Sequence, residues 1–393
     1  MLTMLLLIIA LPVALAVGVF SLEVVGALVS LAGPRRADDT PPTTQANIAV
    51  LVPAHDESQG IATTLKHIHR QLKAADRLLV VADNCSDDTA AIAAANHAEV
   101  IERNDTRHRG KGYALDHGIQ WLRQAPPDIV IVVDADCTVQ AGAIQCLAAT
   151  ACTRNAPAQA LYLLTHSGNT NIRQRIAEFA WKVKNQVRPL GLKRAGLGCQ
   201  LTGSGMAFPW ELIASAPLAN ASIVEDLKLG IDLALSGHAA EFCPAAKVVS
   251  EFPQNASAAS GQRTRWEHGH LGTILAEAPR MMATAIKNRD PRILALALDL
   301  AVPPLTMLTL LLLSLTLAYT GVALFGPTTP LIVMLGTTAV FGLAVMAAWF
   351  FWGRRIVPLA DLLALPFYIL GKIPIYLRFW RKRQKDWVRT DRD

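Results

Sequence analysis

Asp134 and Asp136 stand one residue apart at the end of an apolar run, in the stretch Asp-Ile-Val-Ile-Val-Val-Asp-Ala-Asp-Cys of residues 128–137. The run Ile129–Val133 has the length and composition of a buried parallel strand. Carboxylates delivered to its end cannot be core filler, because unpaired buried charge costs too much. They call for a cation, and a hard divalent ion on oxygen ligands suits them. The chemistry implied is a metal bridging to a phosphate-bearing substrate.

Other polar groups fall into the same scheme. Asp83 opens the run Asp-Asn-Cys-Ser-Asp-Asp-Thr over 83–89. Ser86 or Asp87 is expected to cap the helix that follows. A cap does not need so many polar groups in a row, so Asp83 reads as a ligand. Arg109-Gly110-Lys111-Gly112-Tyr113 opens a helix. A cation at a helix N-terminus flanked by glycines suits a diphosphate, although the spacing is not that of a Walker A loop. Thr202-Gly203-Ser204-Gly205 is small enough for a substrate to lie against backbone, or for a tight turn in the core. Glu225 and Asp226 begin a helix, where pairing with the dipole explains one acid better than two. Gln262-Arg263-Thr264-Arg265-Trp266 precedes the second apolar block. It could anchor at a membrane interface or cover a diphosphate, Arg supplying charge and Trp a flat wall.

The elements that position these groups alternate. Strands are expected at Asn47–Val52, Leu78–Ala82, Glu99–Ile101 and Ile129–Val133. Helices are expected at Ile61–Leu72, from about Thr89 to Asn96, and after Gly110. Such alternation argues an α/β domain on a mostly parallel sheet. Ligands bind such sheets at the strand C-terminal ends. His55–Glu57, Asp83 and Asp134–Asp136 all occupy such ends.

The chain has 393 residues, 52% of them hydrophobic, and the apolar excess lies at its two ends. Residues 1–32 are expected as a transmembrane helix, with Leu2–Leu22 long enough to span. Residues 33–46 are expected as a linker, 47–290 as a globular domain, 291–377 as a membrane region and 378–393 as a basic tail. Arg35 and Arg36 after the first span place the globular domain in the cytosol. In the second block, Pro303 and Pro304 separate an interfacial segment, Ile293–Val302, from a span at Leu305–Phe325. A return follows at Leu331–Trp352. Ile356–Leu377 holds Asp361, Lys372 and three prolines, and is expected as a re-entrant or surface-lying helix. The net charge is +6. Its concentration in the tail fits contact with membrane lipid, and no basic-aromatic stripe argues for nucleic acid. The cysteines form no Cys-x-x-Cys and read as reduced thiols. His67/His69 and His268/His270 are each two apart, off a common helix face, and carry no metal expectation.

Taken in order, Asp83, Asp134-x-Asp136, Glu225-Asp226 and Gln262-x-x-Arg265-Trp266 resemble the family 2 glycosyltransferases. The likeness is nearest to the membrane-embedded branch that includes cellulose, chitin-oligosaccharide and hyaluronan synthases and ceramide glucosyltransferase. It covers roughly residues 47–270. The resemblance implies a GT-A (Rossmann-like) cytosolic domain flanked by transmembrane helices at the inner (plasma) membrane. The implied activity is inverting transfer from a UDP-sugar, with Mg or Mn, to a lipid or saccharide acceptor, in exopolysaccharide or cell-surface polysaccharide synthesis. Single addition to a glycolipid is the alternative, and a non-catalytic nucleotide-binding scaffold a more distant one. The roles implied are Asp83 on uracil, Lys111 on nucleotide or phosphates, Asp134 near ribose and sugar, and Asp136 on the metal. Asp226 would be the general base, with Gln262, Arg265 and Trp266 holding the diphosphate and the acceptor end. The chain departs from the pattern at Val224, where the family often has Thr, and at His55-Asp56-Glu57, where Asn-Glu is more usual.

Overall fold

The computed structural model describes residues 1–33, 44–166, 168, 170–220, 222, 224–253 and 256–381. Most of the linker expected over 33–46, most of the basic tail 378–393, and Ile223 lie outside the described residues. The chain divides into two units. One gathers the described residues of Met1–Gly33, Gly168–Leu197 and His270–Gln384, the other those of Pro34–Ser167 and Gly198–Gly269.

The second unit holds the sheet. Its strands are β1 (Ile48–Ala54), β2 (Arg77–Asp83), β3 (Glu99–Arg103), β4 (Ile129–Val132), β5 (Thr138–Val139), β6 (Ala158–Thr165), β7 (Met206–Pro209) and β8 (Glu241–Glu251). Their order is β3-β2-β1-β4-β7-β6-β8-β5. The first half is parallel, as the β-branched runs imply. β1 pairs with β2, Ala54 opposite Ala82, and with β4, Leu51 opposite Val132. The loops after β1, β2 and β4 therefore leave along one edge.

Beyond β4 the sheet is mixed. β7 runs antiparallel to β4, with Met206 opposite Val132, and antiparallel to β6. β6 then runs parallel to β8, with Leu164 opposite Ser250. Two reversals restore the original direction. The turn before Met206 and the residues Ser250–Glu251 thus come to the same edge as Asp134. Leu51, Leu79, Ile131, Phe208 and Phe242 are fully buried and form the apolar centre, the burial that drives the sheet together. The helix Lys111–Leu122 packs on β1 and β2. A Cβ at Gly118 would fall 2.5 Å from Leu51 Cδ1, so glycine there lets this helix lie close and fixes where Lys111 begins it.

The first unit is built on apolar helices. Among the described residues, four segments are long and apolar enough to cross a membrane: Leu2–Ala32, Leu305–Ala323, Thr329–Gly353 and Leu359–Phe379. Phe20, Val24, Leu308, Met334 and Phe341 share one buried cluster. Pro303-Pro304 breaks the chain between the helices Pro291–Ala301 and Leu305–Ala323, as expected. The last segment is divided into a 3₁₀ stretch, Leu359–Ala364, and short helices at Leu365–Leu370 and Ile373–Arg381, the discontinuity that interior prolines impose. Gly191 of the helix Arg188–Arg194 meets the first helix so closely that a Cβ there would lie 2.0 Å from the Glu23 carbonyl oxygen. Small residues are what allow helix backbones to approach in this way. Beside that contact, Arg188 Nε donates to Glu23 Oε2 at 2.6 Å and Nη2 donates to Asp299 Oδ1 at 2.6 Å.

Candidate active site at the strand ends

A cavity of about 610 Å³ opens at this edge of the sheet, and its walls include Asp56, Asp83, Lys111, Asp134, Asp136 and Arg265. The volume falls in the range of small-molecule sites. Strand ends gather these groups because each apolar strand must stop where its chain turns polar.

Asp134 leaves β4 with its backbone N–H donating to Ser204 Oγ at 3.0 Å. Its Oδ1 accepts from Lys111 Nζ. The same ammonium donates to the Gly203 carbonyl at 2.6 Å. Gly203 has φ +98°, and a Cβ on it would sit 3.4 Å from Asp226 Oδ2 and 4.0 Å from Lys111 Nζ. Lys111 thus bonds Asp134 on the cavity wall and the Gly203 carbonyl, and feels the charges of Glu225 and Asp226 at the start of the helix Glu225–Leu235. Burial alone would lower the Lys111 pKa, but the charges of Asp134, Glu225 and Asp226 outweigh it and hold it above its ordinary value. Glu225 shows the reverse. Burial first, and the Asp226 charge second, push its carboxyl up to about 7 against the pull of Lys111. Burial lowers the Arg265 pKa, and Glu225 opposes that shift. Asp83, Lys111, Asp134, Asp136 and Arg265 thus line one cavity, with Asp226 beside Lys111. Asp226, Gln262 and Trp266 do not line it; Gln262 is buried and Trp266 half-buried.

Asp83 is buried, and its Oδ1 accepts from Arg103 Nη1 at 2.7 Å and Asn84 Nδ2 at 2.9 Å. Arg103 also donates to the His108 carbonyl at 2.8 Å, tying β3 to the loop ahead of Lys111. Asp87 accepts from the backbone N–H groups of Thr89 and Ser58, bracing the start of the next helix against the loop after β1. Asp56, with φ +51°, accepts from the Ser86 N–H at 2.6 Å. The glycines divide by role. Gly205 is a core turn, where a Cβ would lie 2.6 Å from Ala160 Cβ, and a Cβ on Gly112 would lie 2.6 Å from the Leu218 carbonyl oxygen. At Gly112 the close approach is made by the chain itself.

Among the described residues, two groups of side chains have metal-ligating atoms within 4.8 Å of one another: Asp134, Asp136 and Cys137, and Asp56, Cys85 and Asp87. In the second, backbone amides already occupy the carboxylates. In the first, Cys137 is buried and its thiol shares a hydrogen bond with Ser204 Oγ at 3.2 Å; burial first and the Asp134 charge second raise its pKa. What remains is two carboxylates, an oxygen set that fits a hard divalent cation rather than a soft metal.

Sequence reasoning missed Arg103, Tyr162 and Ser250. Arg103 was signalled by a charge just past a short apolar strand. Ser250-Glu251 after Val248-Val249 repeats, more weakly, the apolar-run-then-polar pattern of Asp134.

The family model described as Glycosyltransferase like family 2 matches residues 45–269. The chain belongs to that family, and the sheet described above is its GT-A fold. Among curated proteins, the one named "Probable glycosyltransferase YdaM" of Bacillus subtilis (strain 168) is 25% identical over 274 residues, covering 63% of this chain and 60% of that protein. Among solved structures, the mannosyltransferase PcManGT from Pyrobaculum calidifontis, in complex with GDP-Man and Mn2+, matches with TM-score 0.49 and 20% identity over 91% of this chain and 99% of that one. Glucosyl-3-phosphoglycerate synthase from Mycobacterium tuberculosis, in complex with Mn2+, UDP and phosphoglyceric acid, matches with TM-score 0.38 and 20% identity over 58% and 84%.

Proposed function

We propose that the protein is an inverting, metal-dependent glycosyltransferase that moves a sugar from a UDP-sugar to a hydroxyl acceptor at the inner membrane, with its catalytic unit cytosolic. The observation that carries this is Lys111, which joins the acid-lined cavity to Asp226. Family membership and the four apolar segments support it. The role is assembly of a cell-surface polysaccharide, with acceptor and surrounding lipid met at the membrane. Product length separates chain growth from single addition to a glycolipid.

Asp83, fixed by Arg103, presents a carboxylate to the uracil N–H. Asp134 would lie against ribose and sugar, and Asp136 would hold Mg or Mn. The bound ion supplies charge neutralisation on the diphosphate. Lys111 and Arg265 add fixed positive charge where the departing UDP gathers negative charge. Asp226 accepts the acceptor proton as the hydroxyl oxygen attacks the anomeric carbon. The bond to UDP breaks on the opposite face, the electron pair leaving with the phosphate oxygen, which inverts the centre. Gln262 and Trp266 hold the diphosphate and acceptor end. Ile356–Leu377 lies re-entrant or along the membrane surface, so that the arginines at 354–355 and the basic tail share the cytosolic side.

The test is nucleotide release by purified protein in lipid across a panel of UDP-sugars, with GDP-mannose for comparison and Mn or Mg present. Release from one UDP-sugar, abolished by a chelator, is expected. Tight UDP binding without release from any donor, even with membrane lipid extract added, would make the protein a scaffold instead.

A further inference from the structure

Two hydroxyls interrupt buried apolar rows of the sheet and converge behind one carboxylate. On β8, Ala246, Val248 and Ser250 alternate toward one side and are 0%, 0% and 2% exposed. On β6, Ala158, Ala160, Tyr162 and Leu164 form the matching row, with Tyr162 opposite Val248 and Leu164 opposite Ser250. Ser250 Oγ donates to Asp136 Oδ2 at 2.7 Å. Tyr162, buried in the facing row, interacts with both Ser250 and Cys137. An ionised carboxylate only accepts, so the Ser250 proton points at Asp136.

The torsion that turns an Asp carboxylate is broad and roughly two-fold, so the side chain alone does not fix which lone pairs face the cavity. A hydroxyl anchored in the sheet does. We infer that Ser250, backed by Tyr162, is a positioning residue that sets the orientation of the Asp136 carboxylate and with it the affinity of the site for a divalent cation. The inference rests on the metal-dependent reading above. Oxygen groups behind a ligand govern how well it binds a metal, and here the relay is a buried hydroxyl pair.

The test uses the full-length protein in nanodiscs with UDP present and no acceptor, following free Mn2+ by its electron paramagnetic resonance signal. Ser250→Ala is expected to weaken Mn2+ binding by about tenfold or more, in the range for such outer partners. Ser250→Thr, which keeps the hydroxyl, should bind within about threefold of wild type, and Tyr162→Phe should fall between them. UDP binding without metal should be the same in all. Ser250→Ala binding Mn2+ as tightly as wild type would overturn the inference. Equal weakening in Ser250→Ala and Ser250→Thr would also overturn it, since packing rather than the hydroxyl would then matter. If Ser250→Ala does not fold, Tyr162→Phe decides the matter, and unchanged Mn2+ affinity there counts against the relay. Wild-type protein that binds UDP but no Mn2+ would remove the metal-dependent reading itself, and the inference with it.

Discussion

Lys111, half-buried, and Arg188, buried, are both cations held among carboxylates, one in each unit. Arg188 gives Nε to Glu23 and Nη2 to both the side chain and the backbone carbonyl of Asp299. Burial opposes its charge, but Glu23 and Asp299 keep its pKa above the ordinary value. It stands beside the Gly191 contact and joins three helices from distant parts of the sequence. Lys111 is as strongly held, yet it forms part of the wall of an open cavity. Its acids come in two sets, Asp134 on one strand end and Glu225-Asp226 on a helix start. A perturbed buried charge therefore does not mark a site by itself. What separates the two is an open side where a ligand can replace a neighbour.

The comparison breaks most visibly on removal of the cations. Arg188→Met leaves two carboxylates facing each other in an apolar interior, and loss of about 3–5 kcal/mol is expected for an orphaned buried charge. Thermal or denaturant unfolding in lipid would read it. Lys111→Met should cost less stability, because Asp134, the acid it bonds directly, borders the cavity and can hydrate. Its turnover should fall by about a hundredfold or more, as for removal of a charge-stabilising donor. Equal stability losses in the two variants would erase the distinction.

A smaller contrast lies in the glycines. Gly191→Ala places a Cβ 2.0 Å from the Glu23 carbonyl oxygen, so about 1–3 kcal/mol of overpacking is expected. Gly203→Ala strains a residue at φ +98°, a cost of about 1–2 kcal/mol. Because that residue binds Lys111 through its carbonyl, turnover should suffer more in Gly203→Ala than in Gly191→Ala. Unfolding midpoints and rates for the pair check this.

The smallest effects are in pH. Glu225 has its pKa raised from 4.5 to about 7, so the folded state binds the extra proton between those values. Its contribution is fully present below pH 4.5 and lost as pH rises to 7. His270 is the opposite case. Burial, then the charges of Lys184 and Arg188, lower its imidazole from 6.5 to about 3. The unfolded chain takes up that proton first, so stability falls as pH drops from 6.5 toward 3. Glu225→Gln should remove a loss on raising pH, and His270→Gln a loss on lowering it. Midpoints measured at pH 5, 6 and 7.5 test both signs.

How much of this could be read from the chain follows the same division. β1, β2, β3 and β4 fall within two residues of the strands expected, because each is a local β-branched run ending in a polar residue. Asp83, Asp134 and Asp136 stand at or just past such strand ends and line the cavity, while Lys111 reaches it from a helix start marked by glycines. β7 and the β6–β8 pairing were not, since Met206–Pro209 has no alternation of its own and takes its place from a partner 74 to 80 positions away in the register. The Arg188 cluster was invisible, its contacts spanning 165 and 111 positions. The segment Gly168–Leu197 carries no long apolar run, so hydropathy does not reveal that it groups with the apolar helices.

The central claim divides the cluster into groups that hold the donor and one that does the chemistry. Its most direct test is Asp226→Asn, with Mn2+-UDP binding and sugar transfer measured on the same preparation. Binding within about threefold of wild type with transfer reduced by about a thousandfold or more is the result expected for loss of a general base. Transfer within tenfold of wild type would contradict the assignment and leave Asp226 as no more than a partner of Lys111.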